Sequence, residues 1–377
     1  MKPSFILYIF NFILFILLLF PWYPVYVGKK TNIGKESGER SRIFYGTILL
    51  LLSIFAFSDF DFWGCWFAYN DSQSGYSSGI IEPIYDWLAT VCPNYFYWRL
   101  VVWGVALYLM LKTLLKLHVN YNSTFLFITL LYVLSFYKLR NVLGFSVLFW
   151  GLTLIVTSKN SNLKNKIIGL SLIILSFWCH RSMILSIAML GSCFITLSKK
   201  KVSLLIMLWP FLITVVTIIL NSFLNFGIDS DADSMNFMSK ATGYITKENE
   251  KSTLFGSIRT VLTVCAYLLP LLYMTKKIIF ERISIPKSIS YFFNYWFFVS
   301  YIAYLFAFQD SSNWIYVRIN TMGFFPMCIV LGWYWATHKR TTTQKAILLL
   351  DLFIYLFSTT YMLYKSELIS RFSGNQF

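Results

Sequence analysis

The sequence predicts an all-α polytopic membrane protein of about 12 transmembrane helices, forming one transmembrane domain over residues 1–377. Three observations predict it. Of the 377 residues, 57% are hydrophobic and only 13% are charged, about half the charge carried by a soluble globular domain. Apolar runs long enough to cross a bilayer, which takes about 17 residues or more, fill nearly the whole chain. The connections between runs alternate between lysine-rich and acidic or neutral, as loops on opposite sides of a membrane do. The net charge of +16 is thereby assigned to topology, and no nucleic acid is expected as a partner.

The runs fall at about 4–27, 43–58, 99–117, 123–137, 141–157, 167–179, 182–197, 203–224, 257–275, 291–308, 319–337 and 346–364. The first has one lysine before it and no small-residue cleavage site behind it, so it is expected to stay in the membrane. The shortest, such as 43–58 and 167–179, need flanking residues or a thin bilayer to span. Six connections are basic: KKTNIGKESGERSR, Lys112 with Lys116, Lys159 to Lys166, Lys199 to Lys201, KKIIFERISIPK and HKRTTTQK. They hold 20 of the 32 lysines and arginines and three of the 16 acidic residues, leaving 12 basic and 13 acidic residues elsewhere. The positive-inside rule puts these connections in the cytoplasm and both termini outside.

Two outer connections are long enough to have structure of their own, at about 59–98 and 225–256. The first is rich in aromatics and acids around a Ser/Gly turn. Its rings suit stacking on sugar faces and equally suit an interfacial belt. The second is polar and carries DSDADS, which lacks the glycine and the closing glutamate of an EF-hand, so no metal is expected there. The six cysteines show no CxxC or Cys/His spacing, which argues against a metal site. Cys65 and Cys92 share the first outer loop, where an oxidising compartment could bridge them. GxGxxG, P-loop and HExxH patterns are absent.

Residues 137–184 read as a hairpin of two apolar runs around Lys159, Lys164 and Lys166. The chain leaves the outer face at Arg140 and returns to it at His180-Arg181. Five arginines stand at or near outer ends of runs: Arg99, Arg140, Arg181, Arg259 and Arg318. A guanidinium binds phosphate bidentately and stays charged, so several could converge on a diphosphate; singly, each could equally snorkel to headgroups. The proton-transfer candidates on the same face are His180, Glu82, Asp71, Asp86 and Asp310. His180 can act as a base near neutrality. Glu82 precedes Pro83 in EPIYDWL, which reads as the start of a short interfacial helix. Asp351, inside the last run, calls for a partner.

Arg140 in LRNVLGFSVL, a basic hinge, and then His180 and Ser182 in HRSMIL together resemble the paired signature of EpsG-like and Wzy-type polysaccharide polymerases. The acidic outer loop with Tyr76 and Glu82-Pro83-Ile84-Tyr85 is similar to the same family upstream. Arg318 in YVRINTMGFFP is similar to its late arginine. Asn141 stands where relatives often carry glutamine. The matches are spread over roughly residues 70–330.

The resemblance implies a multi-span architecture like that of the GT-C lipid-sugar glycosyltransferases, in the bacterial inner membrane, with an active site facing the periplasm. The implied reaction joins undecaprenyl-diphosphate-linked repeat units into O-antigen, capsule or exopolysaccharide, without cofactor or metal. His180, Glu82 and Asp71 are the implied proton-transfer set, and Arg140, Arg318, Arg181, Arg259 and Arg99 the diphosphate set. The implied partners are the lipid-linked glycan donor and acceptor, membrane lipid, a chain-length regulator and a flippase. The main alternative is a transporter or flippase of lipid-linked glycans, which needs charges along a mid-membrane path. A membrane acyltransferase with His180 as base is the third reading.

Overall fold

The computed structural model describes residues 60–75, 82–119, 139–158, 162–227, 254–306 and 313–338. Among them every regular element is helical and no strand occurs. The elements of the first unit begin with α1 (Phe60–Gln73), α2 (Pro83–Val91) and α3 (Tyr95–Lys116). They continue with α4 (Leu139–Thr157), α5 (Leu163–Cys179) and α6 (Met183–Ala188). A second compact unit, Met189–Met327, holds a 3-10 turn at Met189–Phe194, then α7 (Lys199–Gly227) and α8 (Leu254–Thr275). It goes on through a π-turn at Lys276–Phe280 to α9 (Lys287–Phe306) and α10 (Asn313–Met322). The last described helix, α11 (Phe324–Thr337), returns to the first unit from Cys328.

The described residues of the segment expected as an outer loop at 59–98 fold into α1, α2 and the first turn of α3. Pro83 at the first helical position starts α2, where its missing N–H costs nothing. The Asn94 side chain caps α3 by accepting from the Tyr97 N–H at 3.0 Å. Four of the segment's rings are interior. Tyr95 stacks on Trp98 at 5.5 Å, Tyr85 meets Trp98 edge-on at 5.8 Å, and Tyr69 lies 5.7 Å from Tyr95. These rings make a packed core, while Phe67, Trp87, Phe96 and Tyr97 stay exposed. The end of α2 is held to α1 by Tyr69, whose hydroxyl donates to the Cys92 carbonyl at 2.8 Å, and by the Gln73 amide, which donates to the Ala89 and Cys92 carbonyls. Cys65 and Cys92 are both buried free thiols, not a disulfide.

In α3 the buried positions Trp98, Val102, Ala106, Met110 and Leu114 recur every four residues and make one face. The opposite face is also apolar, with Leu100, Val101, Val105 and Tyr108 exposed. A helix apolar all round and buried on one side only is what lipid on the other side requires.

Four described helices are long and apolar enough to cross a membrane: Tyr95–Lys116, Arg140–Thr157, Lys199–Ile218 and Lys287–Phe306. Two expected spans differ. Residues 182–197 form α6 and its 3-10 turn, an apolar stretch of Met183–Phe194, about 18 Å long at helical rise against about 30 Å of hydrocarbon. The run expected at 319–337 begins earlier, at Asn313, and is broken by a turn at Gly323, where a Cβ would stand 3.1 Å from Trp296 Cδ1. The expected spans 4–27, 43–58, 123–137 and 346–364 lie outside the described residues. So does most of the 225–256 connection, including DSDADS; its ends belong to α7 and α8.

The expected α4–α5 pair of helices is present, although α5, of 17 residues, is not among the four just named, and it is the tightest packing in the first unit. At its crossing Gly151 and Gly169 face each other. A Cβ on Gly151 would sit 2.6 Å from the Gly169 carbonyl oxygen, and one on Gly169 would sit 2.7 Å from the Gly151 oxygen. Only glycine permits this backbone approach, the device by which membrane helices associate without a hydrophobic driving force. The hydroxyls of Ser146, Thr153 and Thr157 donate to carbonyls one turn back in α4, at 2.7 Å each, so none is left unpaired in an apolar setting.

In the second unit α9 packs against the 3-10 turn, α7, α8 and α10. The Asn294 amide donates to the Cys193 carbonyl at 3.0 Å, and Ser300 donates to Asn320 Oδ1 at 3.2 Å. The Asn320 amide in turn reaches the Tyr316 hydroxyl at 3.0 Å. Small amides and hydroxyls thus join the apolar helices of this unit.

Candidate functional site

Glu82 is the N-cap of α2, yet its side chain makes no capping hydrogen bond. The carboxylate, 5% exposed by residue, reaches across to the two ends of the α4–α5 hairpin. Its Oε1 lies 2.6 Å from His180 Nδ1 and accepts the Arg181 backbone N–H at 3.3 Å. Its Oε2 lies 3.5 Å from an Arg140 guanidinium nitrogen. Arg140 and His180, 58 and 98 positions from Glu82 in sequence, therefore share its carboxylate.

Local chain geometry explains the meeting. His180 ends α5 in extended conformation, with φ −162° and ψ 124°, while its N–H still bonds the Ser176 carbonyl at 3.1 Å. The side chain therefore leaves the helix axis toward α2. Gly144 on α4 allows this turn to approach, since a Cβ there would stand 2.9 Å from Met183 Cγ. Tyr85, one turn after Glu82, is buried and donates its hydroxyl to the Arg140 carbonyl at 3.3 Å. The Trp98 indole N–H donates to the Tyr85 carbonyl at 3.1 Å. α2 is thus pinned to α3 on one side and α4 on the other.

Burial alone would raise the Glu82 carboxyl. The His180 hydrogen bond, the His180 charge and the Arg140 charge outweigh it and hold the group below its ordinary value. Glu82 is consequently a carboxylate, which accepts only, so His180 Nδ1 is the donor. In a neutral imidazole held this way Nε2 carries the lone pair, the tautomer a general base needs. With 20% of its side chain exposed, His180 is open at the surface of the cluster. Burial pushes the Tyr85 phenol well above its usual range, so it remains a neutral donor.

The other expected residues are placed differently. Asp71 is exposed on α1, and its carboxylate makes no hydrogen bond with the cluster; next to it, Ser72 Oγ lies 2.7 Å from Asp86 Oδ1. Arg99 stands near the end of its helix, as expected, but its side chain is buried. It is 0% exposed in the first turn of α3, with a guanidinium nitrogen 3.4 Å from the Tyr95 hydroxyl and the charge 5.8 Å from the Tyr95 ring centre. Arg181 is exposed beside its pinned N–H. Arg259 and Arg318 lie on α8 and α10, with side chains outside the described residues. Among the described residues no group of three His, Cys, Asp or Glu converges as a metal would need. Sequence reasoning missed Trp98 and named Tyr85 only within the Glu82-Pro83-Ile84-Tyr85 element, without a role. The signal for Tyr85 was its place one turn from Glu82, on the same helix face.

No curated protein and no solved structure matches the chain. A family model described as the EpsG family matches residues 42–373, a stretch that takes in Glu82, Arg140 and His180. A match over that much of a membrane chain, with the carboxylate cluster inside it, leaves one assignment: the protein belongs to the EpsG family, a family of Wzy-like polymerases.

Proposed function

We propose that this protein is a membrane glycosyltransferase that joins undecaprenyl-diphosphate-linked repeat units into a polysaccharide, at the periplasmic face of the bacterial inner membrane. Family membership points to the polysaccharide-polymerase role and does not favour the transporter reading. The single observation that supports the chemistry is the Glu82–His180 contact of 2.6 Å with Arg140 on the same carboxylate.

In the proposed reaction an acceptor sugar hydroxyl attacks the anomeric carbon of the donor. The new glycosidic bond forms as the bond from that carbon to the diphosphate oxygen breaks, and the electron pair leaves on the diphosphate. His180 Nε2 takes the hydroxyl proton. Glu82 holds the imidazole in that tautomer and balances the imidazolium that forms, the part a carboxylate plays in a nucleophile–base–acid arrangement. It is a positioning residue, not the base. Arg140 and Arg181 counter the charge on the departing diphosphate, a task that needs no metal. Arg259 and Arg318 remain diphosphate candidates on the sequence reading alone.

The test is the glycan made by a strain deleted for the gene. Capped single repeat units in place of polymer are expected. Loss of all surface-exported glycan, with lipid-linked units retained inside, would point to a transporter and overturn the proposal.

A further inference from the structure

We propose that the second unit carries a binding site for the headgroup of an anionic phospholipid, built where the start of α7 meets the π-turn after α8. Two basic segments far apart in sequence come together there. Lys199 Nζ lies 5.9 Å over the Phe280 ring, within cation–π range. The rings of Phe194 and Tyr291 pack at 5.3 Å, and Val202, Ile279 and Ile289 are buried.

Residues 195–201 and 276–287 contain Lys199 to Lys201, Lys276, Lys277, Arg282 and Lys287, against the single acid Glu281. Glu281 takes Lys277 at 2.6 Å and reaches Lys276 at 4.0 Å. Lys201 Nζ donates to the Thr196 carbonyl at 2.9 Å. Lys199, Lys200, Arg282 and Lys287 stay exposed, so one acid is set against a surplus of cations.

The surroundings favour a lipid over a soluble anion. α7 and α9 both begin here, at Lys199 and Lys287, and both are long and apolar enough to span. The polar–apolar boundary of a bilayer therefore runs through the cluster. Just beyond the lysines α7 shows an apolar ridge of Leu204, Met207, Leu208 and Phe211, all exposed. A phosphodiester with two acyl chains matches both halves: its phosphate on the cations, its chains along the ridge. The positive-inside rule assigns this end to the cytoplasmic leaflet, where anionic lipid is enriched.

The test uses full-length protein in mild detergent, with dioleoyl phosphatidylglycerol or dioleoyl phosphatidylcholine added and bound lipid counted by native mass spectrometry. The wild type is expected to retain phosphatidylglycerol at about tenfold lower lipid concentration. Lys199→Gln with Lys276→Gln should weaken that retention about thirtyfold, at one surface cation lost per substitution. Lys112→Gln with Lys116→Gln, which removes two charges from a different basic connection, should leave it unchanged. Should the first pair fail to insert, the exposed single change Arg282→Gln should weaken retention about fivefold. Equal retention of the two lipids, equal loss in both double variants, or no loss in the variants at this site would overturn the proposal. Displacement of phosphatidylglycerol by inorganic phosphate at equal concentration would make it a soluble-anion site and overturn the lipid assignment.

Discussion

Glu82→Gln is the sharpest perturbation of the cluster, because it keeps the shape of the side chain and removes only its charge and one acceptor. The carboxylate serves His180 Nδ1 at 2.6 Å on one oxygen and Arg140 at 3.5 Å on the other. An amide has one acceptor oxygen and one donor nitrogen. If the oxygen turns to Arg140, the NH2 faces His180 Nδ1, and the imidazole must move its proton to Nε2. If the oxygen turns to His180, the NH2 faces a guanidinium, donor against donor. The first also sets the NH2 against the Arg181 N–H and yields the wrong tautomer for a base; the second keeps the tautomer but removes the charge that balances the imidazolium. In a serine-protease triad the same carboxylate-to-amide change costs about 10⁴ in rate, or about 5 kcal/mol. The fold should lose only about 1–3 kcal/mol, the worth of a hydrogen bond to a charged group. The assay compares polymer length on a gel with protein level by immunoblot: polymer should vanish while membrane-inserted protein persists. Wild-type polymer from an inserted Glu82→Gln protein would refute the reasoning. A stability readout separates charge from shape. The folded-state carboxyl lies below its ordinary value of 4.5, so the unfolded chain binds more protons, and the contribution is whole above that value. It is lost as pH falls through the folded value. Thermal melts of the wild type should drop below about pH 4.5 by a component that Glu82→Gln lacks.

His180→Ala and His180→Gln should both abolish polymer with insertion intact, since glutamine can bond Glu82 but cannot take a proton; strong polymer from His180→Gln would remove it as the base. Arg140→Lys should lose about 2–4 kcal/mol of transition-state stabilisation, because a point charge does not replace the guanidinium fork. That loss is read as polymer yield per inserted protein, and normal yield would remove Arg140 from the diphosphate site. Gly151→Ala and Gly169→Ala each drive a methyl into a carbonyl oxygen at 2.6 or 2.7 Å, and each should cost about 1–3 kcal/mol, measured as a fall in melting temperature. A cysteine at Ser74 should react with an impermeant thiol reagent in intact spheroplasts while one at Asn162 does not. The opposite pattern would invert the membrane orientation.

The hairpin was legible because its signals are one-dimensional: two apolar runs, three lysines between them, and charges at the outer edges. Those alone place Arg140 and His180 on one face. Glu82 was legible as a candidate, but not as the group that joins them, since a carboxylate buried 58 residues upstream of Arg140 gives no periodic signal. The segment around it misled for a related reason. Its acids and aromatics read as loop composition, whereas Tyr69, Tyr85, Tyr95 and Trp98 are there to pack α1, α2 and α3 together. Arg99 was read as an edge charge because arginines at helix ends usually reach solvent, and the Tyr95 ring and hydroxyl that accompany it inside are visible only in three dimensions. The short Met183–Phe194 stretch and the break at Gly323 have the composition of spans. At the Gly323 break the Trp296 ring packs against a backbone with no Cβ.

The glycine crossing of α4 and α5 works as a fulcrum. Gly151 lies 11 residues from Arg140, and Gly169 lies 11 residues from His180, so both lever arms are about 16 Å at helical rise. A methyl that opened the crossing by about 5° would move the far ends past each other by about 1.5 Å. Misplacement of about 1 Å at a reacting centre can cost about a hundredfold in rate. Two residues with no functional group would then set the gap that the Glu82 carboxylate has to bridge, and a single carbon atom at the crossing would be read out at the helix ends as lost chemistry.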